Sequence, residues 1–491
     1  MSEYKLTIGL EIHAELKTKT KMFCDSLNDP NEHHPNINIC PVCMGHPGTL
    51  PVINKQAVEC VVRVGMALGG KIPEYSQFDR KNYFYPDLPK GYQISQYKHP
   101  LVDGGELLLP GSGKKIRVTR VHLEEDTGRL VHEGNDSLVD FNRAGVPLME
   151  LVTEPDISSA AEARAFAEEL QLLLRYLDVS EADMEKGEMR VEANISIAKL
   201  DEERGIKVEI KNLNSFRAVE RAIAYEHERQ AKVLDDGKKV IQETRGWDEE
   251  KQHTFSQRKK ESAHDYRYFP EPDLPPLDLA DKKYFDLEML RASLPELPWQ
   301  KRDRFAREYG VLGDASQMMV ADKAMADFFE SAISEIMEWV DGDNGQARRE
   351  NLIKLAINYT TSDLRALMKN AEGSFGDLRI TPENFAELIK MAALGEVSSR
   401  GAKEILAEMF SGGGDPSDIL ESKGLKQVSN ESELVNVVQK IIQANPETVV
   451  DYKAGKAAAL QFLVGQMMKE TKGAANPQMA AQALKDTIDK I

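Results

Sequence analysis

Residues 7–16 read Thr-Ile-Gly-Leu-Glu-Ile-His-Ala-Glu-Leu, with Glu11, His13 and Glu15 on alternate positions. Side chains two apart on a strand project from one face, so two carboxylates and an imidazole share a short ridge. Acids recur downstream in apolar company: Glu124 and Glu125 in His122-Leu123-Glu124-Glu125-Asp126, Glu150 within Val146-Pro147-Leu148-Met149-Glu150-Leu151-Val152, and Glu192 in Arg190-Val191-Glu192-Ala193-Asn194. A solvated strand face accounts for any one of these, except Glu150, whose run reads as a strand covered on both faces. Partly buried carboxylates need a cation or a proton. Oxygen donors with at most one imidazole suit Mg2+ or Mn2+, and Mg2+ in enzymes commonly accompanies phosphate.

Cys40-Pro41-Val42-Cys43 on a Pro/Gly turn has the spacing that puts two thiolates on one tetrahedral zinc, and Cys24 offers a third. Ser26 stands where a fourth cysteine is wanted, which leaves His33, His34 or water to complete the site. Cys60, within Val58-Glu59-Cys60-Val61-Val62, reads as a small hydrophobe in a buried helix. From Phe78 to Tyr97 aromatic residues interleave with Arg80, Lys81, Lys90 and Gln93, and prolines 86 and 89 make the backbone irregular. That mixture suits stacked bases and phosphates, or equally an aromatic mini-core under a long loop.

The elements that must hold these groups are largely strands. Ile8, Leu10, Ile12, Ala14 and Leu16 alternate with the ridge, and Met189, Val191, Ala193, Ile195 and Ile197 alternate with Arg190, Glu192, Asn194 and Ser196. Residues 207–214 read as the hairpin partner of that second strand, whose polar face is either solvated or the floor of a cleft. Leu107–Leu109 and Ile116–Val121 flank the turn Pro110-Gly111-Ser112-Gly113. Ser159 with Glu162 forms a capping box that opens a helix striped with Phe166, Leu170, Leu173, Leu174 and Leu177.

The stretch 270–298 is rich in proline and reads as a lid or linker closing the first domain; residues 301–380 contain none and read as amphipathic helices. Ser411-Gly412-Gly413-Gly414-Asp415-Pro416 reads as a hinge. An α+β multidomain chain is expected: a β-rich N-terminal domain over 1–292, an all-α domain over 293–410, and a small helical tail over 411–491.

At 491 residues the chain exceeds one hydrophobic core, and 41% hydrophobic residues fill several. A net charge of −18 argues against indiscriminate nucleic-acid binding while allowing a local basic site. Four cysteines suit a reducing compartment, and no run is apolar enough for a bilayer, so the cytoplasm is expected and no membrane partner. There is no P-loop and no Gly-x-Ser-x-Gly elbow, so any nucleotide is held by metal and side chains.

The stretches Ile8-Gly-Leu-Glu-Ile-His-Ala-Glu-Leu-Lys-Thr18, Phe78-Asp-Arg-Lys-Asn-Tyr-Phe-Tyr-Pro-Asp-Leu-Pro-Lys90, His122-Leu-Glu-Glu-Asp-Thr-Gly128, Asn142-Arg-Ala-Gly-Val-Pro-Leu-Met-Glu150 and Asp265-Tyr-Arg-Tyr-Phe-Pro-Glu-Pro-Asp273 together resemble the GatB/GatE family, the B subunits of the tRNA-dependent amidotransferases. The tail, through Phe462-Leu-Val-Gly-Gln-Met-Met-Lys469, resembles that family's YqeY-related domain. The resemblance implies a cradle-shaped catalytic domain that uses ATP and Mg2+ to phosphorylate the side-chain carboxylate of glutamate or aspartate misattached to tRNA(Gln) or tRNA(Asn). Ammonia from the glutaminase/amidase subunit of the same complex, which also holds a small third subunit, then displaces the phosphate. It further implies Glu11, His13, Glu125 and Glu150 as Mg2+ ligands, with Glu124 and Glu192 close by. Arg80, Lys81 and Tyr83, with Lys211 and Asn212, are implied to line the pocket for ATP and the acceptor end. Two other readings are a zinc-stabilised, non-catalytic tRNA-binding scaffold and a stand-alone Mg2+-dependent carboxylate ligase.

Overall fold

The computed structural model describes residues 4–202, 204–259, 263–340, 345–371, 373, 375–427, 431–471 and 477–490. The chain divides into two compact units, Met1–Lys301 and Arg302–Ile491. In the first, the strands that position the site are β1 (Tyr4–Glu15), β2 (Asp79–Asn82), β3 (Tyr92–Ser95), β4 (Val102–Asp103), β5 (Glu106–Leu108), β6 (Lys115–Glu125), β7 (Pro147–Thr153), β8 (Met189–Lys199), β9 (Val208–Leu213), β10 (Glu243–Asp248), β11 (His253–Lys259) and β12 (Phe269–Pro270). Nine of them form one sheet in the order β11-β10-β9-β8-β1-β7-β6-β4, with β5 added beside β6. All pairings are antiparallel except β9 with β10.

The period-2 pattern of β1 decides its place at the centre. Ile8, Leu10, Ile12 and Ala14 are buried to 1% exposure or less, on the face away from the ridge. Helices Ala160–Tyr176 and Phe216–Asp235 contribute Phe166, Leu170, Leu173, Val219 and Ile223 to the same core. Each is capped as its sequence asks: Ser159 Oγ accepts the Glu162 N–H at 3.1 Å and Ser215 Oγ accepts that of Ala218 at 3.0 Å. The other face of the sheet is therefore left to polar side chains.

One register shift matters. Val191 pairs with Leu213 and Ala193 with Ile210, so three residues of β9 oppose two steps of β8. The bulge falls at Lys211 and Asn212, and Asn212 takes up a left-handed φ of 64°. Bulges re-aim side chains; this one turns two successive residues to the polar face.

The proline-rich stretch is stitched into the first unit rather than hung between units. β12 pairs with β2 within a three-stranded sheet β12-β2-β3, Leu277–Asp278 pairs with Tyr75–Ser76, and Leu290, Leu297 and Trp299 pack into the same core. The first compact unit extends through Lys301. In the second unit, Asp415 caps helix Pro416–Lys423, which packs on helices Pro382–Leu394 and Ser399–Gly412. Gly413 and Gly414 end one helix and lead into the next. A separate small core begins with helix Glu431–Ala444, whose Val438 and Ile441 pack with Leu463, Met467, Leu484 and Ile488.

Candidate metal and phosphate site

The register of four strands lines up one row across the sheet. On β1, His13 faces Arg190 of β8 on one side and Glu150 of β7 on the other, and Glu150 faces His122 of β6. Glu11 faces Glu192 in the neighbouring row. Glu124, two residues after His122, shares its face. His13 Nε2 lies 3.3 Å from Glu150 Oε2, 3.8 Å from Glu124 Oε1 and 3.9 Å from Glu11 Oε1. His122 Nε2 lies 3.4 Å from the same Glu150 oxygen and 3.9 Å from Glu124 Oε2. The donors fall into two groups, Glu11–His13–Glu150 and His122–Glu124–Glu150, each within 4.8 Å.

These groups floor a cavity of about 870 Å3, within the size range of ligand sites. Cations rim it. Lys211 bridges to Glu192 at 2.8 Å, Lys81 stands 4.0 Å from Glu124, Arg120 3.8 Å from Glu150, and Arg190 bonds Asp126 at 2.9 Å. Tyr83, Tyr97, Tyr266 and Tyr268 supply an aromatic wall, with Tyr97 and Tyr268 stacked at 4.4 Å between centroids.

Of the residues named from sequence, Glu11, His13, Glu124, Glu150, Glu192, Lys81, Tyr83, Lys211 and Asn212 reach this cavity, and Glu125 and Arg80 do not. Strand alternation is the reason in both cases. Glu125 follows Glu124 on β6 and points to the opposite side, where it accepts the Ile94 N–H at 2.9 Å and pairs with Lys90. The carboxylate facing His13 is thus that of Glu124. Arg80 precedes Lys81 on β2 and forks onto Glu271, at 2.7 and 2.9 Å, and Asp273, with its guanidinium 4.1 Å from the Tyr92 ring centroid. It clamps the 265–273 segment instead of lining the pocket. His122, Arg120 and Asp126 were not picked out from sequence, and Arg190 was read only as part of a polar strand face. The signal for two of them was present, since His122, Glu124 and Asp126 recur with the strand period.

Charges are strongly coupled here. Burial opposes protonation of His13, yet its hydrogen bond to Glu150 and the charges of Glu150, Glu124 and Glu11 push it up to about 9. Burial, then Glu150 and Glu192, raise Glu11 to about 7. Burial resists ionisation of Glu150, but His122 and His13 hold its carboxyl well below the usual range. Burial, the largest influence on His122, keeps that imidazole below its ordinary value. Burial likewise resists ionisation of Asp126, while Arg190 and Arg143 take it down to about 2. Each group sets two carboxylates beside one imidazole, a donor set that fits a hard divalent cation when the imidazole is neutral.

The cysteine knot also assembles. The sulfurs of Cys24, Cys40 and Cys43 lie within 4.8 Å of one another, with Cys43 Sγ 3.8 Å from Cys40 Sγ. Next to it stand Ser26 Oγ and the buried Lys21 Nζ, each 3.9 Å from Cys43 Sγ. His34 bonds Glu32 instead, and both His33 and His34 are exposed. A hydrogen bond from Cys24, opposed by burial and aided by Lys21, lowers Cys43 to about 5, the thiolate character that zinc needs. Phe78 packs edge-on against Phe23 while Phe84 and Tyr85 are exposed, so the aromatic run is part core and part surface.

The second unit holds a larger cavity, about 1250 Å3, lined by Arg307, Ile333, Met337, Arg349 and Lys354 among others. No metal-donor triad occurs there among the described residues. No helix of the described residues is long and apolar enough to cross a membrane.

Known proteins show the same pattern across the whole chain. Residues 6–284 match the GatB/GatE catalytic domain, and residues 345–488 match the GatB domain of its YqeY-related group. A protein of Carboxydothermus hydrogenoformans, named as the B subunit of aspartyl/glutamyl-tRNA(Asn/Gln) amidotransferase, is 45% identical over 100% of both chains. Proteins of the same name from Thermomicrobium roseum and Thermotoga maritima are 47% and 46% identical, each over 99% of both chains. The domain match spans the sheet that builds the carboxylate and imidazole row, and on that ground the chain belongs to the GatB/GatE family.

Proposed function

We propose that the chain, as the B subunit of an aspartyl/glutamyl-tRNA(Asn/Gln) amidotransferase, activates the side-chain carboxylate of glutamate or aspartate on misacylated tRNA with ATP and admits ammonia to displace the phosphate. The observation that carries this reading is the row Arg190–His13–Glu150–His122, with Glu11 and Glu124, sunk in a cavity rimmed by Lys81, Arg120 and Lys211. A carboxylate offers ammonia no tolerable leaving group, whereas an acyl phosphate does. Mg2+ held by Glu11, His13 and Glu150, when bound, neutralises phosphate charge and orients the two substrates.

The chain's own groups do the rest. Lys81, Arg190 and Lys211 attract the anionic phosphates and the substrate carboxylate, and their acid partners keep them aimed inward. Tyr83, Tyr266 and Tyr268 offer faces on which a base stacks. Asp126 fixes the Arg190 guanidinium, and the bulge at Lys211 and Asn212 brings two polar groups to bear where a regular strand offers one. The glutaminase/amidase subunit of the complex, together with its small third subunit, are the proposed protein partners, tRNA(Gln) and tRNA(Asn) the proposed RNAs, and the cytoplasm the compartment. The Cys24–Cys40–Cys43 knot fits structural Zn2+.

The test is ATP consumption by the assembled enzyme with Glu-tRNA(Gln) or Asp-tRNA(Asn) and an ammonium salt, followed by glutamine as donor. ADP should form in step with amide and only with charged tRNA. Amide formation that needs no ATP, or ATP use indifferent to tRNA, overturns the reading.

A further inference from the structure

We propose that Asp87 binds the free α-ammonium of the amino acid carried by tRNA, and so makes the cavity specific for aminoacyl groups whose amine is unblocked. The proposal deepens the function above and rests on it for the substrate. Asp87 lies on the loop between β2 and β3 and lines the cavity. Its Oδ1 is buried and has no hydrogen-bond partner among the described residues. Other acids of the cavity are answered from within the chain. Glu150 faces His13 and His122 at 3.3 and 3.4 Å, Glu192 holds Lys211 at 2.8 Å, Asp126 holds Arg190 at 2.9 Å, and Glu124 accepts from Ser95 Oγ at 3.0 Å. A buried carboxylate oxygen without a donor is rare in folded proteins and costly, so this one is left for a ligand to answer.

The substrates narrow the choice of ligand group. ATP and the tRNA 3′ end offer only neutral donors, the hydroxyls and base amines. The aminoacyl group offers a cation: its own carboxyl is tied up in the ester, so its α-amine is free and protonated near neutral pH. A charge-assisted bond of that kind is roughly twice as strong as a neutral one. Position agrees with this. Burial pushes the Tyr83 hydroxyl up, Lys81 opposes the rise, and the charges of Glu124 and Asp87 add to it, so Asp87 and Lys81 both stand near one ring. The amine and the side-chain carboxylate of glutamate or aspartate are a few bonds apart, and an acid for the first with a lysine for the second matches the two ends of either residue. The loop is also fixed in advance, because the Asp87 carbonyl accepts the Gly128 N–H at 2.8 Å and the Leu88 N–H bonds the Tyr85 carbonyl at 3.0 Å. Ammonium is the other cation that the reaction brings, and the test separates the two.

The test compares Glu-tRNA(Gln) with N-acetyl-Glu-tRNA(Gln) in ADP formation by the assembled enzyme, supplied with ATP and an ammonium salt. Acetylation removes the charge of the amine. The parent should prefer the free amine at least about 10-fold in kcat/KM. Asp87→Asn should erase that preference by raising KM for Glu-tRNA(Gln), with kcat and the KM values for ATP and ammonium within about 3-fold of the parent. Turnover of the acetylated substrate at the parent's rate shows that the variant is folded. Equal use of the two tRNAs by the parent enzyme overturns the amine site without any variant and leaves the function standing. Asp87→Asn slowing both substrates alike, or raising KM for ATP or ammonium in place of that for Glu-tRNA(Gln), overturns it too. Absence of ATP-dependent amide formation from either tRNA overturns the function along with the site.

Discussion

Glu124 and Glu125 are adjacent, chemically identical and buried alike, so exchanging each for glutamine isolates the effect of strand direction. Glu124 stands 4.0 Å from Lys81 Nζ, 3.8 Å from His13 Nε2 and 3.9 Å from His122 Nε2. At an effective dielectric of about 20, one unit charge at the Lys81 distance of 4.0 Å interacts by about 4 kcal/mol, before any cation is counted. Lost from the transition state alone, that energy corresponds to roughly a 10³-fold fall in rate. Glu124→Gln should therefore cut tRNA-dependent ADP formation about 10³-fold with the fold intact. Glu125→Gln removes the partner of Lys90, itself largely buried. Its cost falls on stability, on the order of 3 kcal/mol for a buried charge left alone, with ADP formation per folded molecule within about 10-fold of the parent. The assay is single-turnover ADP release on charged tRNA, normalised to folded protein by circular dichroism. If Glu125→Gln abolishes ADP release in folded enzyme and Glu124→Gln spares it, the assignment of faces on β6 is wrong.

Two further outcomes follow from groups away from the cavity floor. Glu226, fully buried in helix Phe216–Asp235, accepts from Arg229 at 2.6 and 2.9 Å, Gln230 at 2.9 Å and Thr254 at 3.0 Å; Glu226→Ala removes the carboxylate partner of the Arg229 guanidinium, while Arg245 keeps Glu243 and Thr254, and should cost about 3 kcal/mol in urea unfolding of the first unit, and a loss under about 1 kcal/mol would refute the network. Burial pushes the Cys60 thiol up to about 11, so it stays protonated at pH 8, its thiolate fraction rises only as pH approaches 11, and iodoacetamide should label it more than 10-fold slower than Cys40 by mass spectrometry; equal rates would show Cys60 to be accessible and ionised.

The alternation of apolar residues in β1 and β8 was legible because burial on one face of a sheet writes itself into every second residue. Glu150 stood out for the same reason, as a charge within a run that had no exposed face to put it on. What the sequence could not carry is which of two adjacent acids looks inward when both are buried. Glu124 and Glu125 are equally costly to bury, and the side each takes depends on where β7 and β3 lie, not on local composition. Arg80 and Lys81 pose the same problem, settled by Glu271, which is 191 residues away from Arg80 in the chain. The Lys211–Asn212 bulge is a third case, since an alternating pattern assigns consecutive residues to opposite faces and an extra residue cancels that rule.

These three cases share a physical cause that bears on how the site works. Each places a charge by pairing it with a strand remote in sequence, so the cavity exists only once β1, β6, β7, β8 and β9 are in register. A one-residue slip of β7 turns Glu150 into the apolar core and sends Met149 or Leu151 to the cavity, which costs the burial of a carboxylate and exposes a hydrophobe at once. The acids proposed to hold a cation therefore also enforce the register that aligns them. Cation binding and the order of the central sheet are two readings of one equilibrium, and ligand linkage requires that a cation bound by the folded unit alone stabilise it in proportion to its occupancy.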